Sequence, residues 1–320
     1  MSTGIDRSGR IFVLGRDEFG NYGLYEVIEG QLVRSSDPVL PLPGAEGAGE
    51  LVFSRGAKYL AGTSYFNEQP AAQATLWRRE SLDAPIGLGF LISDGELRAT
   101  TVTGIASVSK GPIVVGRGAG SFIWTEATGM QRWITNSQYP SALLIQGISA
   151  NGRRLIGHEN SFQNGIPTTL PFAGTLTRFK LLASPDEVPA SVLGVSPNGL
   201  NLCGYVKLRS TIWSPNGRMK TLSLGTNYHY LDAITDSGMA VGYSTAGRVF
   251  YDSRGKKLEL FDNWWAKHHG DVPLPGTVRR INDLYEWRGN LYFLLETRAP
   301  EDTRLSMLAI APLKKGRKHR

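Results

Sequence analysis

The chain has 320 residues, 41% apolar and 20% charged, with 38 Gly, 17 Pro and 7 Trp; this builds a folded core and excludes disordered and collagen-like classes. No apolar run approaches the roughly 18 residues of a membrane helix, and Cys203, the single cysteine, excludes internal disulfides and thiolate zinc clusters. Of the net charge of +7, Lys314, Lys315, Arg317, Lys318 and Arg320 supply five, leaving 30 basic against 28 acidic residues in the body, so the basicity belongs to a tail and not to a fold-wide surface.

Met1 to Arg10 lacks a basic start followed by an apolar stretch, so the sequence as written carries no secretory signal and reads as not exported. The first recognisable unit is IDRSGRIFVLG from Ile5, followed by VFSRGAKYLAG from Val52, SVSKGPIVVG from Ser107, ISANGRRLIG from Ile148, VSPNGLNLCG from Val195, ITDSGMAVG from Ile234 and INDLYEWRGNLYF from Ile281. The steps between these starts run from 39 to 55 residues, which is a repeat. Each copy couples an apolar residue to a Ser, Asn, Asp and Gly cluster and then to a β-rich run, predicting two strands joined by a tight turn. The turn glycines, Gly9, Gly56, Gly111, Gly152, Gly199, Gly238 and Gly289, supply φ > 0.

A third strand is predicted at Thr75 to Trp77, Phe122 to Trp124, Thr211 to Trp213 and Val249 to Tyr251, and a fourth after the next turn, as at Gln131 to Ile134, Met219 to Leu222 and Leu258 to Leu260. Four short strands per repeat predict an all-β chain: a single β-propeller over residues 1–313, with six or seven four-stranded blades. A ring follows because each blade is apolar on both faces and needs a neighbour on each side. The seventh unit stops after its third strand, Leu305 to Pro312, and Met1 to Gly4 is too short for a missing outer strand, which leaves the blade number open between six and seven. Leu258 to His269 places Leu260, Phe261, Trp264 and Trp265 at helical spacing, predicting a short helix over one rim before the last blade. Residues 314–320 lack any apolar pattern and read as a flexible basic tail.

Gly87-Leu88-Gly89-Phe90-Leu91, then Thr101 to Val115, then Phe122-Ile123-Trp124-Thr125 resemble the HAF family of repeats, in which Gly-Leu-Gly-x-Leu precedes an Ile-Ser-x-x-Gly box, a Val-Val-Gly strand and an Ala-Phe-x-Trp-Thr strand. The last unit is similar, with Phe261 to His269, Ile281-Asn282-Asp283 and Leu305 to Pro312 in the places of that family's helical insertion, Ile-Asn-x-x-Gly box and final strand. The resemblance implies repeated β-rich blades and an extracellular setting, and carries no catalytic residues. The chain departs from it at Leu284 to Arg288, at Leu170 to Ala173 and in lacking a signal peptide.

No metalloprotease, nucleophile-elbow, Walker or Cys-x-x-Cys motif occurs. Gly116-Arg117-Gly118-Ala119-Gly120 lies between two strands and reads as a strand-joining loop, since no helix N-terminus follows to face a phosphate. Cys203, within Leu202-Cys203-Gly204, reads as a small buried hydrophobe. His158, His229, His268, His269 and His319 lack metal-ligand spacing, and no metal or cofactor is expected. Trp77, Trp124 and Trp213 recur at equivalent positions, as interblade packing does. Trp264, Trp265, Tyr285 and Trp287 occur once and interleave with Lys267, His268, Arg279 and Arg280; Trp264, Trp265, Lys267, His268, Tyr285 and Trp287 are the candidate binding residues, with stapling of the closing blade as the competing role for the tryptophans. Asp186, Glu187, Asp232, Asp236 and Asp271 are loop carboxylates whose pairing the sequence does not fix. The leading reading is a non-enzymatic platform for another macromolecule, with a protein as partner and no membrane insertion. The alternatives are a carbohydrate-active enzyme with its site at one mouth of the channel, and a nucleic-acid-associated propeller using the tail.

Overall fold

The computed structural model describes residues 3–16, 22–29, 31–133, 143–163, 166–184, 188–225, 228–274, 276–298 and 304–313. The basic tail, His319, Asp186 and Glu187 lie outside the described residues.

Seven antiparallel sheets follow one another along the chain, six of four strands and the last of three. In each blade the first strand, A, is innermost, and B, C and D step outward. The A strands are Thr3–Ile5, Gly47–Phe53, Thr101–Val108, Leu143–Ile148, Ala190–Val195, His229–Ile234 and Thr277–Trp287. The B strands are Ile11–Arg16, Tyr59–Tyr65, Gly111–Gly118, Leu155–Gln163, Leu202–Val206, Ala240–Ser244 and Asn290–Arg298. The number of blades is therefore seven, and among the described residues the final one has strands A, B and C. The sequence boxes mark the A–B turns, so each blade begins a few residues before its box. All seven turn glycines adopt positive φ, from 71° at Gly152 to 112° at Gly111.

A two-stranded hairpin, Leu91–Ser93 with Glu96–Arg98, sits between blades 2 and 3 and accounts for the longest repeat step. The helix spans Phe261–His269; Leu258 to Leu260, also at helical spacing in the sequence, belong instead to strand D of blade 6, Lys257–Leu260, where they pair with Val249 to Tyr251. The helix lies between blades 6 and 7, not over the rim: Trp264 stacks on Phe250 of blade 6 at 4.1 Å and lies 5.9 Å from Phe293 of blade 7.

Six apolar clusters fill the six interfaces between consecutive blades from 1 to 7. At the remaining seam, between blades 7 and 1, the described contacts are of another kind. The Thr3 amide donates to Asp283 Oδ2 at 2.9 Å, the Tyr285 hydroxyl reaches the Ile5 carbonyl, and the Trp287 ring lies against Gly9. Among the described residues no strand from one chain end completes the sheet of the other, and ring closure rests on these bonds and on a bare Gly9 that leaves room for the indole.

Trp77, Trp124 and Trp213 are buried, as interblade packing requires. The indole N–H of Trp77 donates to the Leu40 carbonyl and that of Trp213 to the Ala183 carbonyl, tying each blade to the connection that leads into it. Cys203 is buried, and burial pushes its thiol well above the usual range.

Candidate functional site: the axial channel and its two mouths

Every A strand contributes to a channel of about 300 Å³ on the ring axis. In blades 2 to 7 the A strand carries a β-bulge, at Glu50 and Leu51, Thr103, Gln146, Leu193, Asp232 and Asn282 in turn. A bulge leaves one residue out of the ladder and re-aims its side chain; Thr103, Gln146, Leu193 and Asp232 accordingly line the channel. Facing the bulge, strand B of blades 3 to 6 has a glycine: Gly116, Gly157, Gly204 or Gly242. A Cβ there would press into an A-strand carbonyl, that of Thr101, Leu144, Ser191 or Tyr230. These are the last glycines of the sequence boxes, visible in VVG, LIG, LCG and AVG but not interpretable until the bulge is seen.

In blades 3 and 4 the residue after this glycine reaches the next blade. The Arg117 Nε donates to the Ile145 carbonyl at 3.1 Å, and His158 Nδ1 lies 3.1 Å from Ser191 Oγ and 3.3 Å from Gln146 Nε2. Burial, reinforced by Arg117, lowers the His158 pKa to about 4, so this ring is neutral at pH 7. In blades 5 and 6 the same position holds Tyr205 and Tyr243. With Tyr228 and Tyr230 they make a half-buried aromatic patch at the mouth where A strands begin, the ring centroids of Tyr228, Tyr230 and Tyr243 lying 5.8 to 6.3 Å apart. The Arg248 guanidinium stacks on Tyr243 at 4.9 Å while its Nε donates to the Arg279 carbonyl of blade 7.

Two carboxylates line the channel. Asp283 accepts the amides of Thr3 and Leu284. Asp232 has no such pair of donors from other chain segments among the described residues; burial pushes its pKa up to about 6 against the opposing pull of Arg248 and Arg280.

The mouth at the A–B turns is strapped. Arg55 of blade 2 crosses it to Asp236 of blade 6 at 3.4 Å and stacks on Tyr285 at 5.5 Å, and Asp236 Oδ1 also accepts the Asn198 amide at 2.8 Å.

The structure separates the six candidate residues into two groups. Tyr285 and Trp287 lie at the strapped mouth. Trp264 and Trp265 are 2% and 4% exposed and pack the helix against blades 6 and 7 beside His268 and His269; stapling is their role, and they offer no open ring to a partner. Lys267 is exposed on the same helix. Asp271 is exposed after the helix, away from the channel. Among the described residues no three His, Cys, Asp or Glu gather as a metal site, and no helix is long and apolar enough to cross a membrane.

Fold and channel together define a seven-bladed β-propeller strapped at the A–B mouth of its channel, with no strand exchange between its ends among the described residues. Among solved structures it is similar to Porphyromonas gingivalis dipeptidyl peptidase 4 (10% identity, 95% of this chain and 52% of that one, TM-score 0.50). It is also similar to the β-propeller domain of the Trilobed protease from Pyrococcus furiosus (9%, 81% and 79%, TM-score 0.49) and to a putative TolB from Agrobacterium tumefaciens (10%, 72% and 86%, TM-score 0.44). The chain spans about half the length of the peptidase, and at such identities the likeness is one of fold. No family model and no curated protein matches the chain.

Proposed function

We propose that the protein is a non-enzymatic binding platform that takes a protein partner on the face of the ring where the A strands begin. The observation that carries this reading is the patch of Tyr205, Tyr228, Tyr230 and Tyr243 with Arg248 stacked on it. Tyrosine and arginine dominate binding hot spots, because each joins a large apolar face to a polar end and loses little rotamer freedom for the area it buries. The equivalent position holds Arg117 and His158 in blades 3 and 4 and tyrosines only in the adjacent blades 5 and 6, which gives the ring one sticky sector. Glycoside hydrolysis would call for two available carboxylates facing each other. Asp283 is spent on two backbone amides, which weighs against that chemistry in the channel. The HAF-like repeats are compatible with an extracellular platform of this kind.

The test is affinity capture from the native cell with the wild-type chain and with a Tyr230→Ser, Tyr243→Ser double variant, each quantified by mass spectrometry. A partner retained by the first and lost by the second, at equal melting temperature, supports the proposal. Equal capture by both overturns it.

A further inference from the structure

On the A–B face, opposite the tyrosines, three depressions of about 410, 470 and 630 Å³ run into one another. The middle one shares Asn151 and Asn198 with its neighbour at blades 4 and 5, and Arg7 and Arg55 with its neighbour at blades 1 and 2. Together they form a trough across the strapped mouth. Its two ends are basic. The blade 4–5 end is lined by Arg153, Arg154, Arg178 and Lys180 and by no carboxylate. At the other end Arg7 and Lys58 stand beside Asp6, whose carboxylate already holds Arg10 and Arg79. Among the described residues these six cations have no carboxylate partner. The centre is aromatic, with Tyr285 and Trp287 half-buried and each already stacked under an arginine, Arg55 at 5.5 Å and Arg288 at 4.4 Å. The final strand, Arg304–Pro312, ends on this face, with the Leu313 amide bonded to the Gly289 carbonyl.

We propose that this trough binds single-stranded nucleic acid, with phosphates held at the two basic ends and a base stacked against the central aromatics. Cations that follow a groove, interrupted by rings on which bases stack, are the means by which proteins hold single strands without reading sequence. An arginine lying on an aromatic ring occupies the place a base would take, and can move aside to a phosphate. Depressions of a few hundred cubic ångströms take one nucleotide-sized group at a time and do not admit a duplex. The near-neutral body of the sequence conceals this, because the cations that line the trough are spread over blades 1, 2 and 4 and no stretch of that body is basic by itself. The surface is separate from the tyrosine mouth, and the proposal stands or falls independently of the reading above.

The experiment is fluorescence anisotropy of a labelled mixed-sequence single strand with the full chain across a salt series. Unlabelled duplex of the same sequence and polyglutamate serve as competitors. Contact with about four to six phosphates predicts a log Kd against log salt slope of about 3 to 4 in magnitude, at 0.7 per phosphate. Arg153→Ala with Arg178→Ala, both exposed, should weaken binding at least tenfold without changing the melting temperature, and so should Arg7→Ala with Lys58→Ala. Replacing Trp287 by Leu should weaken single-strand binding further; if it destabilises the seam, the two surface pairs still decide. A chain with its five tail cations changed to Gln separates tail from trough. The proposal is overturned by absence of binding at low salt, by competition from polyglutamate or duplex equal to that from the single strand, or by binding that vanishes with the tail cations and ignores both surface pairs.

Discussion

Gly204 has φ in the ordinary range, so its necessity is one of space: a Cβ would press into the Ser191 carbonyl at the bulge that aims Leu193 into the channel. Gly204→Ala should cost about 2 to 3 kcal/mol, as overpacking against backbone does. Gly255→Ala, with open space around it, should stay within about 0.5 kcal/mol; chemical denaturation of both variants checks the contrast. Two aspartates should show opposite pH signatures. Asp232 is raised to about 6 by burial, so the unfolded chain gives up its proton more easily, and the wild type loses stability as pH rises from about 4 to about 6. Asp232→Asn should therefore match the wild type near pH 4 and melt higher at pH 7. The Asp6 carboxylate accepts the Ser8, Gly9 and Arg10 amides and the Ser8 hydroxyl, and pairs with Arg10. Despite the cost of burying it, these bonds hold its pKa well below the usual carboxylate range. Its contribution is present above its unfolded pKa and fades as pH falls below it, so Asp6→Ala should cost about 2 kcal/mol at pH 7 and progressively less in acid. Melting curves at stepped pH read both signs.

Among elements, the helix Phe261–His269 shows how a periodicity signal can locate a segment and misplace its task. The spacing of Phe261, Trp264 and Trp265 gave an amphipathic helix, and its apolar side is buried. What the spacing could not give is the surface it meets, because Phe250 and Phe293 come from two different blades. Trp264→Ala and Trp265→Ala should each cost about 3 to 5 kcal/mol, the range for a buried aromatic, while Lys267→Ala should leave the melting temperature unchanged. The turn glycines were readable for the converse reason, since a tight A–B turn is settled within five residues of sequence. The third strand of the last blade was readable as well, as the apolar run Leu305 to Pro312. The strap from Arg55 to Asp236 spans 181 positions, and the trough gathers its cations from blades 1, 2 and 4, so neither leaves a local trace.

At the scale of the whole molecule, six interfaces are sealed by apolar clusters and the seventh by hydrogen bonds and one indole. Opening should begin at that seam, because local stability follows buried apolar contact. The two faces then divide the labour: the A–B face carries the strap and the basic trough, and the opposite face carries the tyrosine sector that we assign to recognition. Hydrogen exchange read by mass spectrometry, on the free chain and on the chain with its captured protein partner, tests that assignment most directly. New protection is expected in Leu202–Val206, in 228–234 and in Ala240–Asp252, with the helix Phe261–His269 unchanged. Protection confined to the helix and the outer strands, with the tyrosine sector exchanging as in the free chain, would contradict it.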